Sequence, residues 1–132
     1  MGKLLGLDVG TKNIGIAITD DTRKICMPSE LLIRQSNKKD FEVLQTMIKK
    51  KKAKGIVVGL PLYFNDEESE ITKFVKRFAE NLAKVIEIPM VYCNESLTSF
   101  EAEEVMRGVG DIKKNVDKIS ASYILEHFLV RI

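Results

Sequence analysis

At about Asn37 the spacing of apolar side chains changes period, and that change restricts the fold more than any other feature. Before it, Lys3 to Val9 is an apolar run, and Asn13 to Thr19 alternates Ile14, Ile16 and Ile18 against Gly15, Ala17 and Thr19. Alternation at period two marks a strand, here with one bulky and one small face. Asp20-Asp21-Thr22 forms a tight polar turn, and a third strand is expected from Arg23 to about Ile33, interrupted by Pro28. Three strands joined by such short turns make an antiparallel meander. After the change, Phe41, Leu44 and Ile48 recur at helical spacing between Asn37 and Lys52. Ile56-Val57-Val58-Gly59 reads as a short buried strand. Ile71, Phe74, Val75, Phe78, Leu82 and Ile86 trace one face of a long helix, and Pro89 to Cys93 is another apolar strand. Thr98 to Arg107 is expected to be helical, with Thr98 and Glu101 at the capping-box spacing and Gly108 and Gly110 ending it. A last helix, from about Val116 to Val130, buries Val116, Ile119, Tyr123 and Ile124.

This order predicts an α/β protein with a mixed five-stranded sheet, three antiparallel strands then two parallel, flanked by helices. The parallel half implies right-handed crossovers. No repeat, low-complexity tract or linker divides the 132 residues, so one domain, 1–132, is expected. Its apolar runs are too short to span a bilayer. Gly6, Asp8 and Lys12 interrupt any secretory apolar stretch, and Gly6 stands where a myristoylation signal needs Ser or Thr. A cytoplasmic location is expected, in which Cys26 and Cys93, far apart and in no metal or redox spacing, are two buried thiols. The formal net charge is only +2, but residues 1–54 carry 12 basic and 6 acidic side chains while 55–111 carry 5 and 11. A positive N-terminal half suits a surface that meets phosphate, and also a merely solvated one.

In an open sheet of parallel strands, ligands sit beyond the carboxyl ends. Asp8 and Glu95 stand at the ends of the first and last strands. Asp8 follows Leu4, Leu5 and Leu7, where an unpaired carboxylate would cost several kcal/mol, so it needs a cation, either a lysine or a metal. In Gly10-Thr11-Lys12 a phosphate or metal can approach the main chain closely, or the glycine simply serves a hairpin. Asn94 to Thr98 is read as following the last strand, with Glu95 either a ligand or a surface acid. Asp117 opens the final helix, where an acid also suits the dipole. Taken singly, none of these acids decides between ligand and structural roles; three from separate segments favour metal.

The segments Gly6 to Gly15, Val57 to Pro61, Glu95 to Ala102 and Val116 to Ile119 fall in the order and near the spacing of the YqgF/RuvX family, which this chain resembles over essentially its whole length. Members of that family are described as Holliday-junction resolvases and as nucleases that mature pre-16S ribosomal RNA. The resemblance implies a ribonuclease H-like fold, with Asp8, Glu95 and Asp117 as catalytic acids. It implies nucleic acid as partner: precursor rRNA, with pre-ribosomal particles, is favoured over branched DNA, and the protein acts as monomer or homodimer. The implied cofactor is Mg²⁺ or Mn²⁺, in two ions, which suits carboxylate donors and in-line attack on a phosphodiester. Two departures stand out. Asn94 and Ser96 replace the usual Asp and Arg beside Glu95, and Tyr63-Phe64-Asn65-Asp66 replaces a polar, glycine-containing loop.

Lys113, Lys114 and Lys118 flank Asp117 and join Gly10, Thr11 and Lys12 as candidates for phosphate contact. Lys49 to Lys52 with Lys54 fit a helix end, with backbone tracking as the alternative. Tyr63 and Phe64 suit base stacking or loop anchoring equally. His127 suits a helix terminus. Two other readings compete: a non-catalytic nucleic-acid-binding module, motivated by Asn94 and Ser96, and a phosphotransfer ATPase, motivated by Asp8-Val9-Gly10-Thr11. The ATPase reading requires two related domains, and this chain has room for one.

Overall fold

In the computed structural model, residues 2–63, 68–97, 124 and 125 are described. β1 (Lys3–Val9), β2 (Asn13–Thr19) and β3 (Cys26–Ile33) form the antiparallel meander. α1 (Asn37–Lys51), β4 (Ala53–Tyr63), α2 (Glu70–Ala83) and β5 (Met90–Leu97) follow. The sheet order is β3-β2-β1-β4-β5, with β1, β4 and β5 parallel. The mixed five-stranded sheet predicted from the periods is therefore the sheet observed.

The two faces of the sheet follow from alternation in β1 and β2. Leu5, Leu7, Val9, Ile14 and Ile16 point to one face and pack with Phe41 and Leu44 of α1 and Val75, Phe78 and Leu82 of α2. The small residues face the other way, where Leu4, Ala17, Val57 and Cys93 pack against Ile124 and Leu125, a helical fragment of the last predicted helix. Thr19 is buried on that second side without an unmet polar atom. Its hydroxyl accepts the Leu4 amide at 2.9 Å and donates to the Asp20 carbonyl at 2.9 Å.

Element ends differ from the sequence reading for local reasons. β3 begins at Cys26 rather than Arg23, because Asp20 accepts the Lys24 and Ile25 amides at 2.8 and 3.0 Å and Arg23 is left-handed (φ 60°). Pro28 sits in this edge strand next to a register shift, with Ile16 opposite Glu30 and Ala17 opposite Pro28. β4 runs past Gly59 to Tyr63. Pro61 is tolerated there because the pairing with β1 ends at Leu7–Val58, leaving only β5 alongside. β5 continues through Asn94, Glu95 and Ser96, so these residues lie within the last strand rather than after it. Residues with poor strand propensity are held there by pairing with Leu60, Pro61 and Leu62. α2 stops at Ala83, and Ile86 reaches the core from beyond the helix. α1 and α2 have serine caps: Ser36 accepts the Lys39 amide, and Ser69 forms a capping box with Thr72. Cys93 is buried as expected, but Cys26, on the edge strand, is only partly so.

Candidate active site at the carboxyl ends of the parallel strands

Asp8 is half-buried between buried Leu7 and Val9, and its side chain belongs to the small-residue face. Its cross-strand partner in β2 is Gly15. On the other side, Leu7 pairs with Val58, so the next position along β4 is Gly59. The carboxylate is thus flanked on both neighbouring strands by residues without side chains, which leaves room around it. Part of that room is occupied: a Cβ on Gly59 would fall 2.3 Å from Cδ1 of Ile124.

Gly59 pairs in turn with Cys93, and Pro61 with Glu95. Successive side chains alternate between faces, so Cys93 and Glu95 share the face of Asp8. The Cys93 thiol donates to Glu95 Oε1 at 3.3 Å, and the half-buried carboxylate is thereby oriented from within its own strand. With β4 between them, β1 and β5 run about 10 Å apart. Asp8 and Glu95 therefore stand on one face and at one end of the sheet, drawn from opposite parts of the sequence. Asp117, the third predicted acid, lies outside the described residues, as do Lys113, Lys114 and Lys118. Among the described residues, no three His, Cys, Asp or Glu side chains gather as a metal site.

The β1–β2 turn closes the same end. The Gly10 amide donates to the Asn13 carbonyl at 2.9 Å, and a Cβ on Gly10 would lie 2.9 Å from that same oxygen. Gly10 does not have positive φ, so the turn requires glycine for room rather than for handedness. Thr11 and Lys12 are exposed at its tip.

Sequence reasoning missed the group that supports this turn. The Arg34 backbone amide donates to the Lys12 carbonyl at 2.8 Å. Its guanidinium donates to Asp40 Oδ2 at 3.0 Å, to Asn37 Oδ1 at 2.6 Å and to the Gly10 carbonyl at 3.5 Å, while lying 4.8 Å from the Phe78 ring centroid. Asp40 is fully buried, and its other oxygen accepts the Gln35 amide. An acid in the first turn of a helix looks like dipole compensation in the sequence, which hides this role. The one available signal was Arg34 immediately after the third strand.

The remaining basic run belongs elsewhere. Lys49 to Lys52 end α1, and the next residue, Ala53, pairs with Lys3 at the opposite end of β1 from Asp8. Lys52 is the left-handed cap of that helix, its amide donating to Ile48 and Lys49 carbonyls. These lysines complement the helix dipole at the far side of the sheet. Tyr63 is the last residue of β4; Phe64 and His127 lie outside the described residues.

Comparisons with known proteins place this arrangement. The family model described as "RuvX: Holliday junction resolvase" matches residues 2–131. A protein of Thermoanaerobacter pseudethanolicus named "Putative pre-16S rRNA nuclease" is 37% identical, over 96% of this chain and 95% of its own. One of the same name from Sulfurihydrogenibium sp. is 35% identical over 100% and 92%. Among solved structures, Thermus thermophilus RuvC in complex with a Holliday junction substrate superposes with a TM-score of 0.59 at 9% identity, over 96% of this chain and 92% of that one. The fowlpox virus Holliday junction resolvase gives 0.53 at 11% identity, over 98% and 97%. At such identities the likeness is one of fold, the ribonuclease H-like arrangement that the sequence resemblance implied.

Proposed function

The chain belongs to the RuvX family, described as Holliday junction resolvases, and from that premise we propose that it is a divalent-metal-dependent nuclease acting on structured nucleic acid. The observation that carries this reading is the pair Asp8 and Glu95, two carboxylates on one sheet face with glycines beside Asp8. The name of its relatives favours pre-16S rRNA as the substrate; our reading adds that a single domain, 1–132, matures the 5′ end of that RNA on pre-ribosomal particles in the cytoplasm. A second reading, resolution of branched DNA, is favoured by the family description and by the RuvC–junction complex, and on that reading the protein would act as a homodimer.

Hard oxygen donors fixed on one face and at one end of a rigid sheet fit Mg²⁺ or Mn²⁺. Asp8, Glu95 and Asp117 would hold the ions. When bound, such ions would supply Lewis-acid chemistry to a phosphodiester and to a water. The chain's own residues do the rest. β1 presents Asp8 from a buried, two-sided strand, so its position is set before substrate arrives. The Cys93 thiol limits the rotation of Glu95. Gly10 to Lys12 bring the main chain and an ammonium group to the phosphate, joined by Lys113, Lys114 and Lys118 near Asp117. Ser96 replaces the family's arginine, so substrate grip there falls to these lysines.

The test is a parallel cleavage assay of wild type and Asp8→Asn on precursor 16S rRNA and on four-way junction DNA, with Mg²⁺, Mn²⁺ or EDTA. Wild type cleaves one of them only with metal, and Asp8→Asn loses roughly 100-fold or more of that rate with an unchanged Tm. Equal cleavage by both proteins, or cleavage in EDTA, refutes the assignment.

A further inference from the structure

Lys38 and Lys39 occupy the first turn of α1, after the Ser36 cap. That turn carries the positive end of the helix dipole, where lysine is unfavourable and acids are favoured. The turn's one acid, Asp40, is buried and committed to Arg34, so it does not compensate the lysines at the surface. Both lysines are exposed, and neither forms an ion pair among the described residues; the same holds for Lys12. A local preference broken without compensation points to a requirement imposed from outside the fold.

Their location says what that requirement is. β3 runs parallel to β1, so its end delivers Arg34 and the start of α1 to the rim that holds Asp8. Arg34 binds this helix start to the β1–β2 turn, through its amide on Lys12, its guanidinium on Gly10 and its contact with Asn37. Three ammonium groups that form no ion pair among the described residues thus stand with the start of α1 on the β3 side of Asp8. On the α2 side, by contrast, Glu68 and Glu70 are present and matched by Lys76 and Lys73.

We infer that the start of α1, through Lys38 and Lys39 together with Lys12, binds the phosphate backbone of the nucleic acid beyond the cleaved bond, so that the substrate strand leaves the site across the β3 side of the rim. The inference rests on the nuclease reading for what occupies the site, and names the direction of the bound strand. The contacts are to phosphate and therefore indifferent to base sequence.

The experiment compares Lys38→Gln/Lys39→Gln with Lys49→Gln/Lys50→Gln, which removes the same charge from the other end of the same helix. Binding of a labelled 5′-leader hairpin of precursor 16S rRNA, and of a labelled four-way DNA junction, is titrated between 50 and 300 mM KCl in the Asp8→Asn background. The first double variant lowers the magnitude of the log Kd against log salt slope by about 1.4–1.8 and weakens binding roughly ten-fold at 100 mM. Its Tm does not fall, because the removed charges opposed the dipole. The Lys49/Lys50 variant keeps the wild-type slope. In the cleaving protein the Lys38/Lys39 change appears in KM and leaves kcat intact. Equal slopes for both variants overturn the inference, as does a loss confined to kcat. Tight binding with the expected slope difference but no cleavage by wild type would retain this surface and defeat the nuclease reading instead. The RNA and DNA arms show which backbone uses it.

Discussion

Asp20 illustrates how much one exposed side chain can organise. Its carboxylate accepts the Thr22 hydroxyl and the Lys24 and Ile25 amides, and these bonds, the Thr22 one foremost, hold its pKa below the ordinary carboxylate range. The native carboxylate therefore binds a proton less readily than the same group in the unfolded chain. Its contribution is present above the unfolded value and is lost as pH falls through the lower folded value. Urea midpoints measured from pH 7 down to pH 2.5 should accordingly decline more steeply for wild type than for Asp20→Asn, and a parallel decline would contradict the assignment. The turn itself was legible as Asp-Asp-Thr. What the sequence did not disclose was that the first aspartate would hold two further amides and delay β3 to Cys26.

Among the elements, existence and type were plain from period, while ends depended on partners that are distant in sequence. β5 is the instructive case. Asn94-Glu95-Ser96 carries no strand signal, yet the length of β4 extends it, and this turns Glu95 from a loop acid into one fixed on the sheet. The Arg34–Asp40 pair works between elements too, joining the β1–β2 turn, α1 and the aromatic face of α2. Arg34→Ala would leave Asp40 buried beside no cation, at a cost of about 3–5 kcal/mol, and would release the Gly10 turn. Chemical denaturation checks the first effect; weakened substrate binding by protein that is still folded checks the second. Arg34→Lys should restore part of the stability but little of the turn, since a compact ammonium lacks the planar fork that reaches acceptors on several sides. A pairwise contact of this kind leaves no periodic trace, which is why it was missed.

For the molecule as a whole, the sheet has two unequal sides. One is covered by α1 and α2; the other, with small residues at its centre, receives Ile124. The small face of β2 was visible as Gly15, Ala17 and Thr19, and burial of Ile124 was expected, but that Gly59 exists to admit it was not. Gly59→Ala should cost about 1–3 kcal/mol through overpacking. Adding Ile124→Val, which removes the Cδ1 that the new methyl would strike, should recover part of that loss. Strictly additive destabilisation, read from urea midpoints of the two single variants and the double, would show that the contact does not matter. Asp8 and the glycine turn were legible because they lie where β1 ends, whereas Glu95, read as following the last strand, lies within β5, and Asp117 is outside the described residues. The support by Arg34 was not, being tertiary, nor was that by the Cys93 thiol, which depends on β5 extending through Glu95.

Pro28 has a consequence for life at high concentration. The outermost strand of the described sheet is bordered by exposed Ile25, Met27 and Ile33, a combination that ordinarily invites neighbouring chains to add on and polymerise. A ring nitrogen lacking hydrogen, next to an extra residue that crimps the ribbon, gives an incoming chain no continuous ladder to extend. Growth of fibres from that margin should therefore stall at its first rung, despite the greasy fringe.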